Sequence, residues 1–495
     1  MKVEYAMFGD MVGRWIQVND IFQKKLFDYS CNYDQSFDPG MRYYPAPDHF
    51  FFLMDGKCTH AYPFPYAFFV APFLKLSDTY GFYLFNSIFW FGYMFCFVYL
   101  AKLLFPNKQT LTFGVGLASF FILPTGIYLF DYSEIMIGMF IASLSMIFVI
   151  RAMGESRGSK YLILGGVLSG SAFALRPENT ILYAAAVVAL FIHKLLQERE
   201  ESFWKNIFYG KHFIAGIGLI LGFLLSVIYH QISFDTYLPA RIAHPKSIPE
   251  STFANKIKII ITLLVGGNKG LFSSLPFTIL SFLYFVPSIH KNLGSKVRVL
   301  YFTFVIAASS IILITPGDGG YSWSPRYLSV ILFPLSFTVL CILQSGHAFW
   351  EKKVVKVVLV LLCIYSLGFT HAGMKILKAS TKQVAKYHEI LNKQKPDLVL
   401  QAQDTFYVMM PKQILKSEKI YKLADLRQIV DFFHKYARNY SSMPTSFTYI
   451  WYGPAKARLT VPEILQNNWT LKNEDFFFDI HFDKFVRKSE VEQNK

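Results

Sequence analysis

A small number of acidic and basic residues in this chain could carry chemistry, and Asp10 comes first among them. Met11, Trp15 and Phe22 follow it at helical spacing, with polar residues between them. This pattern predicts an amphipathic helix over 10–27 that lies in a membrane interface. A carboxylate at its start has two interpretations, a general base that takes the proton of an attacking hydroxyl or a cap of the helix. The two are compatible, because helix amino termini favour anionic groups.

A second acidic group lies in the connector 131–134. Asp131 and Ser133 are suited to cap the next helix, whereas Glu134 is suited to orient an acceptor or to bind a metal. No Asp-x-Asp pair occurs in the first loop, and no spacing of Cys and His resembles a zinc site. The sequence therefore supports neither a metal nor another cofactor, and Glu134 is a better candidate for chemistry than Asp131.

Two arginines complete the candidate chemistry. Arg176 and Glu178 flank a proline in a turn between two apolar runs, where the arginine either pairs with an acid or binds a phosphate. Arg326 belongs to the glycine-rich segment 317–327, which fits a ligand-binding loop better than an ordinary interfacial anchor. His230, near the end of an apolar run, fits a satisfied polar contact better than a catalyst.

The elements that must position these residues are mostly membrane-spanning helices. The chain of 495 residues is 53% hydrophobic and only 17% charged, which is too few charges for a typical soluble protein. Its long apolar runs predict ten spans. They lie near 79–104, 110–130, 134–153, 161–176, 179–196, 212–233, 270–289, 298–315, 326–345 and 354–372.

The net charge of +16 is distributed in a way that indicates membrane topology. Lys and Arg concentrate in alternate connectors, as the positive-inside rule requires of the cytoplasmic side, with the basic loop 234–269 as an exception. Binding to nucleic acid is therefore not indicated. This topology places the first loop and everything after residue 372 outside the cytoplasm. Because no signal peptide precedes that loop, we expect a first transmembrane helix to be missing ahead of residue 1.

The chain divides into three predicted segments. Residues 1–78 form a first extracytoplasmic loop with interfacial helices, 79–372 the transmembrane bundle, and 373–495 a small extracytoplasmic α/β domain. Within the first loop, the proline-rich part 62–76 fits a re-entrant or surface element better than a span. In the last segment, strands are predicted at 397–400 and 447–451 with an amphipathic helix at 423–436 between them. Cys31 and Cys58 share the first loop, where a disulfide is compatible with the sequence but not required by it.

Taken in order, these motifs resemble membrane glycosyltransferases of the GT-C fold, especially bacterial enzymes similar to protein O-mannosyltransferases and the lipid A aminoarabinose transferase. An acid heads an interfacial helix at Asp10, and a Gly-Lys at Lys57 precedes the Tyr-Pro-rich stretch that begins at Tyr62. Glu134 opens a later span, and Arg176 stands before a proline. Segment 317–327 ends in Pro-Arg-Tyr. The resemblance covers about residues 9–345, and it departs from the family where the common Asp-Glu pair reads Asp10-Met11.

The resemblance implies a mainly helical polytopic fold and a set of functional residues. Asp10 would be the catalytic base and Glu134 a supporting acid. Arg176 and Arg326 would hold a polyprenyl phosphate, with Lys57 and Tyr62 near the donor. With the other polar groups on the predicted outer side included, the candidate substrate-binding residues are Arg14, Lys57, Tyr62, Asp131, Arg176, Glu178 and Arg326.

The function expected from this resemblance is inverting transfer of a sugar from a polyprenyl-phosphate donor. The acceptor would be a lipid, glycan or protein of the cell envelope, at the outer face of the plasma membrane. Two alternatives are a transporter or flippase of lipid-linked sugars and a glycan ligase or polymerase. Transporters commonly show paired hydrophobic halves, whereas this chain concentrates its polar groups on one predicted side, which favours the enzyme.

Overall fold

The structure is a computed structural model of the whole chain. It describes residues 10–23, 30–31, 33–46, 50–54, 56–60, 62, 64–78, 80–121, 123–130, 133–155, 158–197, 210–234, 252–315, 325–416, 419–454, 456 and 459–489. The chain folds into two compact units. We call residues 63–375 the helical unit and residues 1–62 together with 376–495 the terminal unit. The three-segment division of the sequence stays a prediction.

The terminal unit begins with a helix and a hairpin. Helix α1 spans Asp10–Gln23, within the predicted helix; residues 1–9 and residues 24–27 lie outside the described part of the chain. Strands β1 (Phe51–Met54) and β2 (Lys57–His60) pair antiparallel. Cys31 and Cys58 form a disulfide, so the pairing that the sequence left open is present. The disulfide joins the hairpin to the segment after α1.

The helical unit consists of helices and short 3-10 turns. Its elements are α2 (Phe64–Ser77), α3 (Tyr80–Leu104), α4 (Gln109–Phe121), α5 (Thr125–Phe130), α6 (Ile135–Gly154), α7 (Ser159–Ser171), α8 (Pro177–Gln197), α9 (Lys211–Phe234), α10 (Phe253–Val265), α11 (Leu271–Ser274), a 3-10 segment (Pro276–Phe285), α12 (Pro287–His290), α13 (Ser295–Ile314), a 3-10 segment (Arg326–Ile331) and α14 (Leu332–Leu343). The last helix of this unit, α15 (Lys353–Gln394), continues into the terminal unit.

Seven helices in the described residues are long and apolar enough to cross a membrane, against ten predicted spans. The other three predicted spans fall on shorter helices that prolines interrupt. The 110–130 run is divided between α4 and α5 around Pro124, and the 161–176 run stops before Pro177. The 270–289 run is divided by prolines at the starts of two of its three short helices. A proline removes a backbone donor and clashes with the preceding turn, so each of these apolar runs is divided or ended.

Helix α6 lies at the centre of the helical unit. Ile135, Met139, Ala142 and Met146 are fully buried in its large apolar core. Their spacing of three or four residues marks one helix face, but other faces of α6 are buried as well. Because neighbouring helices enclose α6, the residues at its amino-terminal end are buried inside the unit.

The terminal unit also contains a five-stranded mixed sheet. Its strands are β3 (Leu398–Gln401), β4 (Ile420–Lys422), β5 (Ser446–Tyr452), β6 (Trp469–Phe477) and β7 (Ile480–Arg487), in the order β4-β3-β5-β7-β6. Between the strands lie the helices α16 (Lys412–Lys416), α17 (Ile429–Asn439) and α18 (Glu463–Asn468). The predicted small α/β domain is confirmed, and so are its two predicted strands and the helix between them. Asp425 accepts a hydrogen bond from the Arg427 N–H and so caps the 3-10 turn Leu426–Gln428, which directly precedes α17.

Aromatic residues from the first loop complete the core of this sheet. Phe37 is fully buried with its ring 5.2 Å from that of Tyr421 and 5.7 Å from that of Phe432. Tyr43 packs against Phe432 at 5.3 Å. Asp38, which lies between these two aromatic residues in the chain, accepts hydrogen bonds from the Tyr33 hydroxyl and the Tyr43 N–H. These contacts give Asp38 a structural role within the terminal unit.

Asp483 makes the stability of the terminal unit depend on pH. Its carboxylate is 3% exposed and accepts a hydrogen bond from Trp451 Nε1. Burial raises the pKa of Asp483 from 3.8 to about 6; the facing Glu474 adds to the rise, whereas the Trp451 bond and His481 oppose it. Because the folded state holds this proton more tightly than the unfolded chain, stability falls as pH rises from about 4 to about 6. The loss by pH 7 is about 3 kcal/mol.

Replacing Asp483 by Asn is therefore expected to stabilise the protein at pH 7 and to flatten this pH dependence. Thermal unfolding of the purified full chain between pH 4 and pH 7 measures both effects. Glu463→Gln removes an exposed carboxylate of the same unit and is the matched control. An Asp483→Asn variant that loses stability with rising pH as steeply as the wild type would contradict the assignment.

Candidate functional site

The terminal unit holds the first group of candidate residues on one face of α1. Arg14 is fully buried, and its guanidinium carbon lies 4.6 Å from the centre of the Tyr62 ring. Gln17 Nε2 donates a hydrogen bond to the Tyr62 carbonyl at 3.0 Å. The close approach depends on Gly13, because a Cβ there would come within 2.5 Å of the Tyr62 ring. The structure thus brings the predicted residues Arg14 and Tyr62 together.

The other predicted residues of this unit are placed differently. Lys57 is exposed at the start of β2, and the pairing of Lys57 with Met54 puts it beside the hairpin turn. Asp10 is the first residue of α1, but its side chain lies outside what the structure describes. A pair that the sequence did not indicate, Asp20 and His60, is buried with Oδ2 and Nε2 2.8 Å apart. Their separation of 40 positions gives no local signal of this contact.

The helical unit holds a cluster of buried charges around Arg176. Its Nη2 donates to Glu178 Oε1 at 3.0 Å, and its Nη1 lies 4.0 Å from Glu134 Oε1. Nη2 also lies 3.4 Å from the main-chain carbonyl of Arg326. The side chains of Arg176, Glu134 and Glu178 are 4%, 9% and 13% exposed. Four predicted positions, separated by up to 192 residues in sequence, therefore meet at one place.

Helix ends create this cluster. Glu134 directly precedes α6, Arg176 directly precedes α8, and Arg326 starts a 3-10 segment that packs against both. Pro177 at the first position of α8 fixes the turn, since proline is tolerated there and has no N–H to leave unpaired. Glu178 in the first turn is favourably placed at the positive end of the helix dipole.

The guanidinium of Arg176 is only partly hydrogen-bonded. Its Nε and Nη1 have no hydrogen-bond partner among the described residues, although both are buried. The 4.0 Å separation from Glu134 is an ion contact rather than a hydrogen bond. A buried charged group with unused donors is costly unless another group binds to them. Arg176 therefore has N–H donors that an anion or an ordered water could accept from.

Two residues that the sequence did not single out hold Arg176 in place. Gly138 lies one turn along α6 from Glu134, and a Cβ at this glycine would be 2.9 Å from Arg176 Cδ and 3.2 Å from Asn179 Nδ2. Asn179 is fully buried and its Nδ2 lies 3.4 Å from the Arg176 carbonyl. The available signal was the spacing of Gly138 from Glu134, because residues four apart share a helix face.

Several predictions concern residues that the structure does not describe. Asp131 and the glycine-rich segment 316–324 lie outside the described residues, so of the 317–327 segment only its last three residues, with Arg326 among them, are placed.

His230 is buried within α9 and its Nδ1 lies 2.8 Å from the Ser226 carbonyl, as expected of a satisfied polar contact. In the part of the chain that the structure describes, no three His, Cys, Asp or Glu side chains group as metal ligands.

The fold defines the class of this protein as a multi-pass membrane protein of the GT-C fold with a small α/β domain. The crystal structure of ArnT from Cupriavidus metallidurans bound to undecaprenyl phosphate matches 97% of this chain and 94% of its own, with a TM-score of 0.54 and 11% sequence identity. At that identity the likeness shows a shared fold. No protein-family model and no curated protein matches the chain. The predicted fold is confirmed, whereas the roles of the site residues stay predictions.

Proposed function

We propose that this protein transfers a sugar from a polyprenyl-phosphate donor to a cell-envelope acceptor, with inversion at the anomeric carbon. The observation that carries the proposal is the buried, partly hydrogen-bonded guanidinium of Arg176 in a chain with the fold of a protein solved with undecaprenyl phosphate. The active site is proposed to lie on the outer side of the plasma membrane, where the charge pattern of the connectors puts the ends of the relevant spans.

The proposed sugar transfer requires a site that binds the phosphate and a base that accepts a proton. An acceptor hydroxyl attacks the anomeric carbon, the bond from that carbon to the phosphate oxygen breaks, and the polyprenyl phosphate leaves with the electron pair. Arg176 would stabilise the leaving phosphate through donors that its pair with Glu178 leaves unused. A guanidinium suits this role because it is always charged and donates in fixed directions. The hydroxyl proton would pass to a carboxylate, for which Asp10 is the candidate.

The experiment is a transfer assay with the purified full chain. Detergent-solubilised protein is incubated with acceptor-containing envelope extract and radiolabelled polyprenyl monophosphate sugars, a hexose and a pentose in separate reactions. Transfer of the label with release of polyprenyl phosphate supports the proposal. Label that crosses the bilayer of a proteoliposome still attached to its lipid would instead indicate a flippase, and use only of a pyrophosphate-linked oligosaccharide would indicate a ligase or polymerase.

Gly138 offers a test that changes no charge. Substitution by Ala would push a methyl against Arg176 Cδ, so the guanidinium must shift by a few tenths of an ångström. We expect transfer to fall about 10-fold, because small misplacements of positioned groups are costly in catalysis. Stability is expected to hold, since Ala favours a helix by about 1 kcal/mol over Gly.

The matched control for this substitution is Gly126→Ala in α5. A Cβ at Gly126 meets nothing within 4 Å, so the same chemical change is made without a clash. The measurement compares transfer rates and melting temperatures of the two variants. Equal rates for Gly138→Ala and Gly126→Ala would argue against a role for the position of Arg176.

A further inference from the structure

Exposed aromatic side chains concentrate at one end of the five-stranded sheet in the terminal unit. Phe476 and Phe478 are 61% and 65% exposed, and Tyr452, on the opposite face of the same sheet end, is 60% exposed. Among the described residues of this unit, only Leu53 and Ile376 are other large apolar side chains with more than 40% exposure. Clustered exposed apolar groups outside a membrane-spanning bundle mark an interaction surface more often than isolated ones do.

Three rings form a row across neighbouring strands. Trp451 on β5, His481 on β7 and Phe476 on β6 are direct pairing partners, so they share one face of the sheet. The Trp451 and His481 rings are stacked at 4.1 Å, and the His481 and Phe476 rings are 6.3 Å apart. We call this row, with the neighbouring Phe478, the aromatic edge. Because β6 is an edge strand, the row ends at solvent with the exposed Phe476.

The turn at the end of the aromatic edge requires an unfavourable backbone conformation of Phe478. Phe478 and Asp479 alone connect β6 to β7, and Phe478 has a φ of 54°. Gly or Asn adopts this left-handed conformation readily, whereas a bulky residue does so at a conformational cost. The Phe478 ring packs on Phe477 at 4.5 Å but stays largely exposed. An exposed ring kept at an unfavourable backbone position is consistent with selection for contact with another molecule.

The charge around the aromatic edge indicates what that molecule is. Segment 474–479 contains three acids and no base. Glu474 is exposed two residues before Phe476 on the same face of β6, so its carboxylate neighbours the ring. Aromatic groups that anchor proteins to bilayers are typically accompanied by Lys and Arg, and an acidic segment is repelled by anionic lipids. A neutral ligand with an apolar face and many hydroxyl donors suits rings beside carboxylate acceptors.

We propose that the aromatic edge binds a neutral, hydroxyl-rich glycan, with a sugar ring stacked on Phe476 and hydroxyls donating to Glu474. Rigid strands hold the binding groups before the ligand arrives, which lowers the entropy lost on binding. Under the proposed transfer function, on which this wider role rests, the bound glycan is the acceptor. The binding itself is testable without any donor.

The test uses the full chain in nanodiscs of phosphatidylcholine and measures the fluorescence polarisation of labelled maltopentaose, mannopentaose and chitopentaose. At least one probe is expected to bind saturably. Phe476→Ala is expected to weaken that binding at least 10-fold and Glu474→Gln about threefold. Tyr452→Ala, which removes an equally exposed ring from the opposite face of the same sheet end, is the matched control and is expected to stay within twofold.

A second variant separates binding from folding. Phe478→Gly removes a ring of the aromatic edge and relieves the left-handed backbone, so it should weaken glycan binding while raising the melting temperature. The proposal is overturned if no probe binds saturably, or if Phe476→Ala and Tyr452→Ala lose affinity equally. Binding without sugar transfer would count against the proposed function alone, and transfer without binding at the aromatic edge would count against this inference alone.

Discussion

Replacing Arg176 by Ala is expected to lower sugar transfer about 100- to 1000-fold, the range found when a preorganised donor to developing charge is removed. The guanidinium is buried and keeps two nitrogens free of hydrogen bonds within the described residues. In the proposed mechanism, its loss would remove one cation from the leaving phosphate at a buried place, where electrostatic interactions are strong. Arg176→Lys keeps the charge but not the fork of donors. Its transfer rate is expected to lie between those of the wild type and Arg176→Ala, with a loss near 10-fold.

A structural consequence of this substitution must be separated from the catalytic one. Without Arg176, Glu178 and Glu134 would be buried with one cationic partner fewer, and such losses cost roughly 3–5 kcal/mol. The double variant Arg176→Gln with Glu178→Gln removes the close pair as a whole and should recover much of the melting temperature. Transfer should stay low in the double variant, because the guanidinium is still absent.

The control for both variants is Arg151→Ala. Arg151 pairs with Glu155 at 2.7 Å, but both side chains are 38% exposed, so the pair adds little to stability. Rates and melting curves of the purified variants are compared in the transfer assay. If the double variant regains transfer together with stability, Arg176 has a structural role only, and the phosphate assignment is wrong.

Much of the fold could be predicted from the sequence because the controlling forces are local. In a bilayer, a run of about 20 apolar residues can satisfy its backbone hydrogen bonds within the run only as a helix. This constraint made most of the spans predictable. The divisions of the runs at 110–130 and 270–289 were harder to predict. Whether a proline kinks a span or ends it depends on neighbouring helices that can satisfy the freed backbone groups. Helix α15 runs on past residue 372 because the predicted span marks the end of an apolar run, and a helix can continue beyond the bilayer.

The candidate site was predictable in its residue types but not in its contacts. The Arg-Pro-Glu turn, the acid that precedes α6 and the arginine that starts the 3-10 segment each gave a local signal. The contacts themselves depend on packing between helices that are far apart in the chain. They join Arg176 to Glu178, to Glu134 and to the carbonyl of Arg326. Gly138 was missed for the same reason, since its importance lies in the side chain that packs over it.

Asp10→Asn is the second substitution with a large expected effect, because it separates the two roles that the sequence leaves open. Asn caps helices about as well as Asp, so a capping role predicts nearly unchanged stability. An amide cannot accept the proton of an attacking hydroxyl, so a base role predicts a loss of transfer of roughly 100- to 10,000-fold. Asp10 is the first described residue of α1, and Asp is a favoured residue at helix amino termini, so the cap is an alternative that the experiment must separate.

Asp10→Ala completes the comparison, since it removes both the cap and the base. Loss of a cap costs about 1 kcal/mol, so Ala should lower the melting temperature while Asn does not. Transfer assays on both variants at matched protein levels then give distinct patterns. Equal inactivity of Asn and Ala, with only Ala destabilised, is expected of a catalytic base. An active Asn variant beside a destabilised Ala variant would reduce Asp10 to a helix cap, and the base would have to be sought among the other carboxylates.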